Sequence, residues 1–444
     1  MSTNYCVGWV KMRIAVLERG KRLLESSLIQ NIVALYGVQF ARYLLPLITI
    51  PYLTRVLGPE GWGGYSFAYS FGMFVIVVVE YGFAYSATRQ IAKHQDDILY
   101  RSRLLGGVLG AKGLLSLLVI LVSVVVRFLI PFFQQRSNLL MVATLWGVVS
   151  ASNFLWYFQG LERMKVVAAL DISAKLIATI LIMTLVRTPA DDWKVFVFHT
   201  MAIAISVIVA LILAYKEVPF SMPSWAFIGE TMRMGWSMFV FRGATSLYTV
   251  GNAFILGVFV TPVYVGYFIA AERISRGFLA MLYPISQALY PRLSKLIVES
   301  RGRAAQLVRH TLLIVGGGAF LIGAGVFVFA SPIVNVLLGV GYEPSMNVLR
   351  ILSLLIPLVA LSNILGIQWM LPLGMDRSFS MVVLSAGLVN FVLAVLLAPR
   401  YMHIGMAWSI VISELYVTAM IYFILRWREL GPSPVSRKPL RERI

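Results

Sequence analysis

Cysteine is almost absent from this chain of 444 residues. The single Cys6 excludes a disulfide framework and a cysteine-based metal site. The four histidines, His94, His199, His310 and His403, are scattered and form no HExxH pair. No GxxxxGKS or GxxxxGKT stretch occurs, so no P-loop is built in. Charge is scarce, at 13% of residues, and acids are half as numerous as bases, 19 against 38. The connections between apolar runs are short, and Asp96-Asp97 and Asp191-Asp192 are isolated pairs within them. A membrane glycosyltransferase or polymerase would want a large loop or clustered loop carboxylates; neither is present.

What fills the chain is apolar side chain: 59% of residues are hydrophobic and mean hydropathy is +0.83. That composition describes an all-α polytopic membrane protein. About twelve spans are expected. The first six cover 28–53, 62–86, 104–130, 139–160, 166–187 and 194–215; the second six cover 236–260, 264–291, 311–338, 346–371, 379–398 and 403–426. Residues 1–27 lack the apolar core and cleavage site of a signal peptide and read as a cytoplasmic lead-in. Two six-helix bundles follow, 28–220 and 221–430, and then a basic tail, 431–444.

The net charge of +19 raises nucleic acid as a partner. Placing both termini in the cytoplasm puts 25 of the 38 Lys and Arg on that side and 7 on the other. The surplus is then positive-inside bias, and no nucleic-acid partner is expected. Six cations remain within spans: Arg42, Lys112, Lys175, Arg242, Arg273 and Arg276. Acids there are fewer, namely Asp171, Glu272, Glu414 and Glu80. A weak internal repeat runs through the chain. Arg42 matches Arg242, Pro59-x4-Gly64-Tyr65 matches Pro262-x3-Gly266-Tyr267, and Ser152-Asn153 before Gly160 to Arg163 matches Ser362-Asn363 before Gly374 to Arg377. Six spans per half make this a parallel repeat.

The stretch Tyr264–Arg292 carries Glu272, Arg273 and Arg276 about 12–18 Å from its start, near the middle of a bilayer core about 30 Å thick. Charges at that depth are costly and mark pathways. Taken as one helix, it aligns Glu272, Arg276, Tyr283, Gln287 and Tyr290, with Pro284 able to kink it. Asn31, Gln39, Arg42 and Thr49 share a face in the first span, as do Arg242, Thr245, Thr249 and Asn252 in the seventh. Arg42, Arg242, Arg273 and Arg276 are therefore candidate anion-binding residues, with Asn31, Gln39, Thr249, Asn252 and Gln287 as polar lining. The arginine fork suits phosphate oxygens. Bland alternatives stand beside these readings. Asp171 and Lys175 form either an ion pair or a coupling site; Glu272 could neutralise Arg276; Arg42 and Arg242 could bond backbone carbonyls. Lys112 could snorkel or face a cavity, and Glu414 could be a proton site or a satisfied polar residue. The glycine-rich runs Gly106 to Lys112 and Gly316 to Gly325 fit close helix packing.

LLPLITIPYLTRVLGPEGWGGYSFAYSF (Leu44–Phe71) resembles the opening of bacterial Wzx-type polysaccharide flippases. FLWYFQGLERMK is similar to that family's pattern at Trp156, Gln159, Gly160, Glu162 and Lys165, and YFIAAERI resembles its signature at Glu272 and Arg273. The resemblance covers essentially the whole chain. It implies the multidrug/oligosaccharidyl-lipid/polysaccharide exporter fold, with two bundles around a central cationic cavity. The implied activity is alternating-access translocation of undecaprenyl-pyrophosphate-linked oligosaccharide across the bacterial inner membrane, for O-antigen or exopolysaccharide synthesis. Polysaccharide polymerase and chain-length machinery are the implied partners. No enzyme activity, metal or cofactor is expected, and a coupling ion, H+ or Na+, is left open. The alternative is a cation-coupled multidrug exporter of the same fold, against which the basic surplus speaks.

Overall fold

The computed structural model describes the backbone of residues 27–432, and the side chains of all but 27–44, 46, 47, 244, 247–249, 283 and 288. The described residues are overwhelmingly helical, and each of the twelve expected spans is found as helix. Eight continuous helical stretches among them are long and apolar enough to cross a membrane. Four of the expected spans fuse in pairs. Ser27–Glu80 joins the first two across Gly58, at φ 64 and ψ 177, and Asp376–Trp427 joins the last two across Met402, at φ 52 and ψ −131. Gly58 carries no Cβ and takes that region without strain; Met402 does not have this freedom and is held there by its surroundings.

The chain divides into two compact units. Of the described residues, one comprises those up to Ile50, Phe74–Arg187 and Trp193–Val240; the other comprises Pro51–Met73, Thr188–Asp192 and those from Phe241 onward. The units are thus cut differently from the halves expected at 220/221, because Pro51–Met73 packs with the later helices. The reason is a reciprocal glycine crossing. A Cβ on Gly63 would stand 1.7 Å from the Pro262 carbonyl oxygen, and one on Gly266 would stand 2.2 Å from the Pro59 oxygen. Each partner of this contact lies 203 residues from its counterpart. The repeat register, read from sequence as Gly64 against Gly266, therefore slips by one residue, to Gly63.

Within the first unit small and hydroxylated residues bring helices together, as membrane packing requires. Ala174, Ala178 and Ala202 form one buried cluster, and Ser206 Oγ donates to the Leu170 oxygen at 3.0 Å. The hydroxyls of Ser123 and Thr144 meet at 3.0 Å between Ile98–Leu129 and Ser137–Ala151. The run Gly106 to Gly110 packs as expected, with Gly106 facing the Ser221 oxygen and Gly107 facing Phe227. The second glycine run does not. Gly317, Gly318 and Gly325 have open space around them, and of that run Gly323 makes a tight approach, to the Ser353 oxygen.

In the second unit the core gathers around Trp369, Met370, Leu293 and Ile421. Trp369 Nε1 donates to the Leu430 oxygen at 2.8 Å. Two segments wind as π-helix, Leu312–Gly316 and Asn363–Met370. Such bulges free backbone groups and recur at functional sites. Asp191 and Asp192, expected as loop charges, are buried: Asp191 accepts from the Thr188 amide at 3.0 Å and caps a short 3-10 turn.

Candidate functional site

The eighth span is two helices, Pro262–Ala280 and Tyr283–Glu299, separated at Met281-Leu282. Pro284 opens the second of them, where its missing amide costs nothing. The polar stripe expected from Glu272 to Tyr290 is therefore interrupted, because the single-helix assumption fails one residue before Tyr283. Beside the break lies an apolar groove of about 520 Å3, lined by Pro284, Ile285, Leu289, Leu307, Ile314 and Val315 among others.

Upstream of the break the charges sort themselves. Arg276 Nη2 donates to Glu272 Oε1 at 2.7 Å, one helical turn away. That is the neutralising alternative, and it leaves Arg273 as the net cation of this turn. Arg273 makes no hydrogen bond or ion pair among the described residues. Its guanidinium stands 5.6 Å from the centre of the Tyr69 ring, a cation–π distance. Tyr69 ends a short aromatic ladder on the neighbouring helix: Trp62 to Tyr65 is 5.5 Å and Tyr65 to Tyr69 is 5.9 Å between ring centres. Trp62 and Tyr65 are buried, and the Trp62 Nε1 has no hydrogen-bond partner among the described residues. Their spacing places all three rings on one helical face. The sequence held that signal, and the reading passed over it.

The other candidates distribute as follows. Arg242 is half-buried on Trp225–Thr249, and Asn252 is buried on Gly251–Phe259, both in the second unit. Gln287 is exposed on the far side of the break. The side chains of Asn31, Gln39, Arg42 and Thr249 lie outside the described residues. Glu414 accepts a hydrogen bond from Ser362 Oγ at 2.5 Å, beside the π-helical segment Asn363–Met370. In that segment Gln368 Nε2 donates to Ser286 Oγ at 3.0 Å, while its Oε1 has no partner among the described residues.

Asp171 and Lys175 belong to the first unit and pair across one turn at 2.5 Å. Lys112 neither snorkels nor faces a chamber. It is buried, and its Nζ donates to the Ala151 oxygen at 2.7 Å, satisfying a carbonyl at the end of Ser137–Ala151. The segment Phe154 to Lys165 also acquires a physical role. Thr88 Oγ1 bonds the Trp156 oxygen, and Gln95 Nε2 bonds the Gly160 oxygen at 2.9 Å. A Cβ on Gly160 would meet Ile91 at 2.6 Å. Tyr157 accepts from Arg101 at 2.7 Å, and Glu217 accepts from both Arg101 and Arg163. This motif locks helix ends in the first unit.

The comparisons agree with the resemblance. Residues 28–297 match the family model described as polysaccharide biosynthesis protein. The "Putative O-antigen transporter" of Escherichia coli (strain K12) is 32% identical over 91% of this chain and 98% of its own length. The protein of the same name from Shigella dysenteriae is 29% identical over 89% of this chain and 98% of its own. Among solved structures, an inward closed conformation of the lipid II flippase MurJ superposes with a TM-score of 0.66 at 13% identity, over 89% of this chain and 87% of that one. An inward-facing multidrug resistance MATE family transporter superposes with a TM-score of 0.64 at 16% identity, over 91% and 99%. Both carry the exporter fold. The chain therefore belongs to the polysaccharide biosynthesis protein family, that of the Wzx-type flippases its motifs resemble.

Proposed function

We propose that this chain flips undecaprenyl-pyrophosphate-linked oligosaccharide from the cytoplasmic to the periplasmic leaflet of the inner membrane, as a transporter and not as an enzyme. The observation that carries the reading is Arg273: an intramembrane cation beside tyrosines, with its neighbour Arg276 already paired to Glu272. A guanidinium in a poorly hydrated site favours phosphate oxygens through charge-assisted bonds. The half-buried aromatic face of Tyr69 suits sugar rings, whose apolar faces stack on it. Relatives named for O-antigen transport, aligned over nearly their full length, support the substrate class. Arg42 and Arg242 are the further cations proposed for the diphosphate, with Asn252 and Gln287 as polar lining. Alternating access proceeds by rocking of the two repeats, as in other repeat-built transporters.

The test is complementation of a deletion strain. Loss of the protein should deplete surface glycan and leave lipid-linked repeat units on the cytoplasmic leaflet. R273A should fail to restore export while reaching the membrane at normal levels. Full export by R273A would remove the diphosphate role. Unchanged glycan with altered drug susceptibility in the deletion strain would favour the multidrug alternative.

A further inference from the structure

Arg163 in the first unit and Arg377 in the second are matched by the internal repeat, and their surroundings differ. In the first unit Asp192–Glu217 ends on Glu217, whose carboxylate binds Arg163 and binds Arg101 at 2.8 Å. In the second unit Arg377 stands where the repeat places Arg163, 214 residues on. Arg163 is neutralised by Glu217, whereas no carboxylate lines the cavity beside Arg377, which it shares with a second arginine, Arg428.

Arg377 and Arg428 line a cavity of about 360 Å3 together with Gly374, Met375, Ser378 and Met381. Neither guanidinium has a hydrogen bond or ion pair among the described residues. Both are exposed at the ends of Asp376–Trp427, the kinked helix that joins the last two expected spans. Asp376 and Glu429 are the adjacent acids in sequence, and neither lines the cavity. Two unpaired guanidinium forks, a nearly buried Ser378 and two methionines describe a site that is anion-binding at its mouth and apolar at its side. Clustered arginines at a membrane surface attract anionic head groups, and the fork geometry matches phosphate.

We infer that this cavity binds the phosphate of a membrane lipid. The ligand chemistry is a phosphate ester or diphosphate carried on a hydrophobic anchor. It does not depend on what the protein exports.

The experiment titrates the purified full-length chain in neutral detergent with phosphatidylglycerol, with undecaprenyl diphosphate, and with phosphatidylcholine as the uncharged control, reading bound lipid by native mass spectrometry. Four variants are compared with wild type: R377Q/R428Q, R377K/R428K, R428E, which reverses one of the two charges, and R303Q, which removes an exposed charge elsewhere. Wild type and R303Q should bind at least one of the phosphate lipids about ten-fold more tightly than R377Q/R428Q or R428E. R377K/R428K should retain part of the difference, since charge persists while the fork is lost. Preference for undecaprenyl diphosphate alone would identify the lipid carrier as the ligand, and binding of phosphatidylglycerol would identify a phospholipid site. Equal binding by wild type and R377Q/R428Q for both lipids would overturn the inference. A chain that keeps the ten-fold difference in a strain whose glycan export does not require it would overturn the flippase reading and leave this one standing.

Discussion

Glu272 and Arg276 close an ion pair of 2.7 Å one turn apart, and Arg273, between them in sequence, points instead at the Tyr69 ring. Adjacent residues on a helix project about 100° apart, so one turn can hold both a neutralised and an unneutralised cation. R273A should therefore reduce export by about ten-fold or more, the scale of one charge-assisted bond. R276A should do less, and E272A/R276A should export better than E272A alone. Surface glycan measured against membrane protein level gives the ranking.

The Gly63–Gly266 crossing leaves no room for a methyl group at either position. Forcing a side chain into a filled contact costs about 1–3 kcal/mol, and more when backbone must move. G63A and G266A should lower the unfolding temperature in detergent and reduce the yield of folded protein. G277A, whose Cβ would meet nothing within 4 Å, should leave both unchanged.

Removing Lys112 strands a buried carbonyl at Ala151 and takes a cation from the neighbourhood of Glu80. An unsatisfied buried acceptor costs about 1–3 kcal/mol. K112M should be destabilised accordingly, and E80Q/K112M should recover part of the loss because the buried acid goes with the buried base. Thermal unfolding of the purified proteins separates the two outcomes.

Glu217 binds one buried and one exposed arginine: side-chain exposure is 9% for Arg101 and 58% for Arg163. Breaking a buried pair costs about 3–5 kcal/mol, whereas an exposed pair contributes under about 1 kcal/mol. E217A should therefore destabilise the chain far more than R163A. Similar melting temperatures for the two variants would contradict this partition.

Much of the fold was legible before any coordinates. Each of the twelve apolar runs is helix, and the break before residue 403 falls at Met402. The interruption at Met281-Leu282 escaped because nothing between Ala280 and Tyr283 changes the apolar pattern. In the candidate site, Glu272, Arg273 and Arg276 were singled out by depth and charge, and all three lie on Pro262–Ala280. The Trp62–Tyr65–Tyr69 ladder was missed because aromatic spacing on an apolar helix reads equally well as core. Asp191 and Asp192 were misplaced because a carboxylate pair in a short connection gives no sign of its burial.

Apolar run length and arginine bias determined from sequence that this chain threads a membrane many times, since about twenty apolar residues are needed for each crossing. Only tertiary structure decided which intramembrane and interfacial charges are satisfied. Asp171–Lys175 and Glu272–Arg276 pair within one turn, but other partners come from distant segments, 39 residues away for Lys112 and Ala151 and 116 for Arg101 and Glu217. No local pattern encodes a pairing across such separations. The packed helices supply it, because a charge taken out of water without a partner would be too costly to keep.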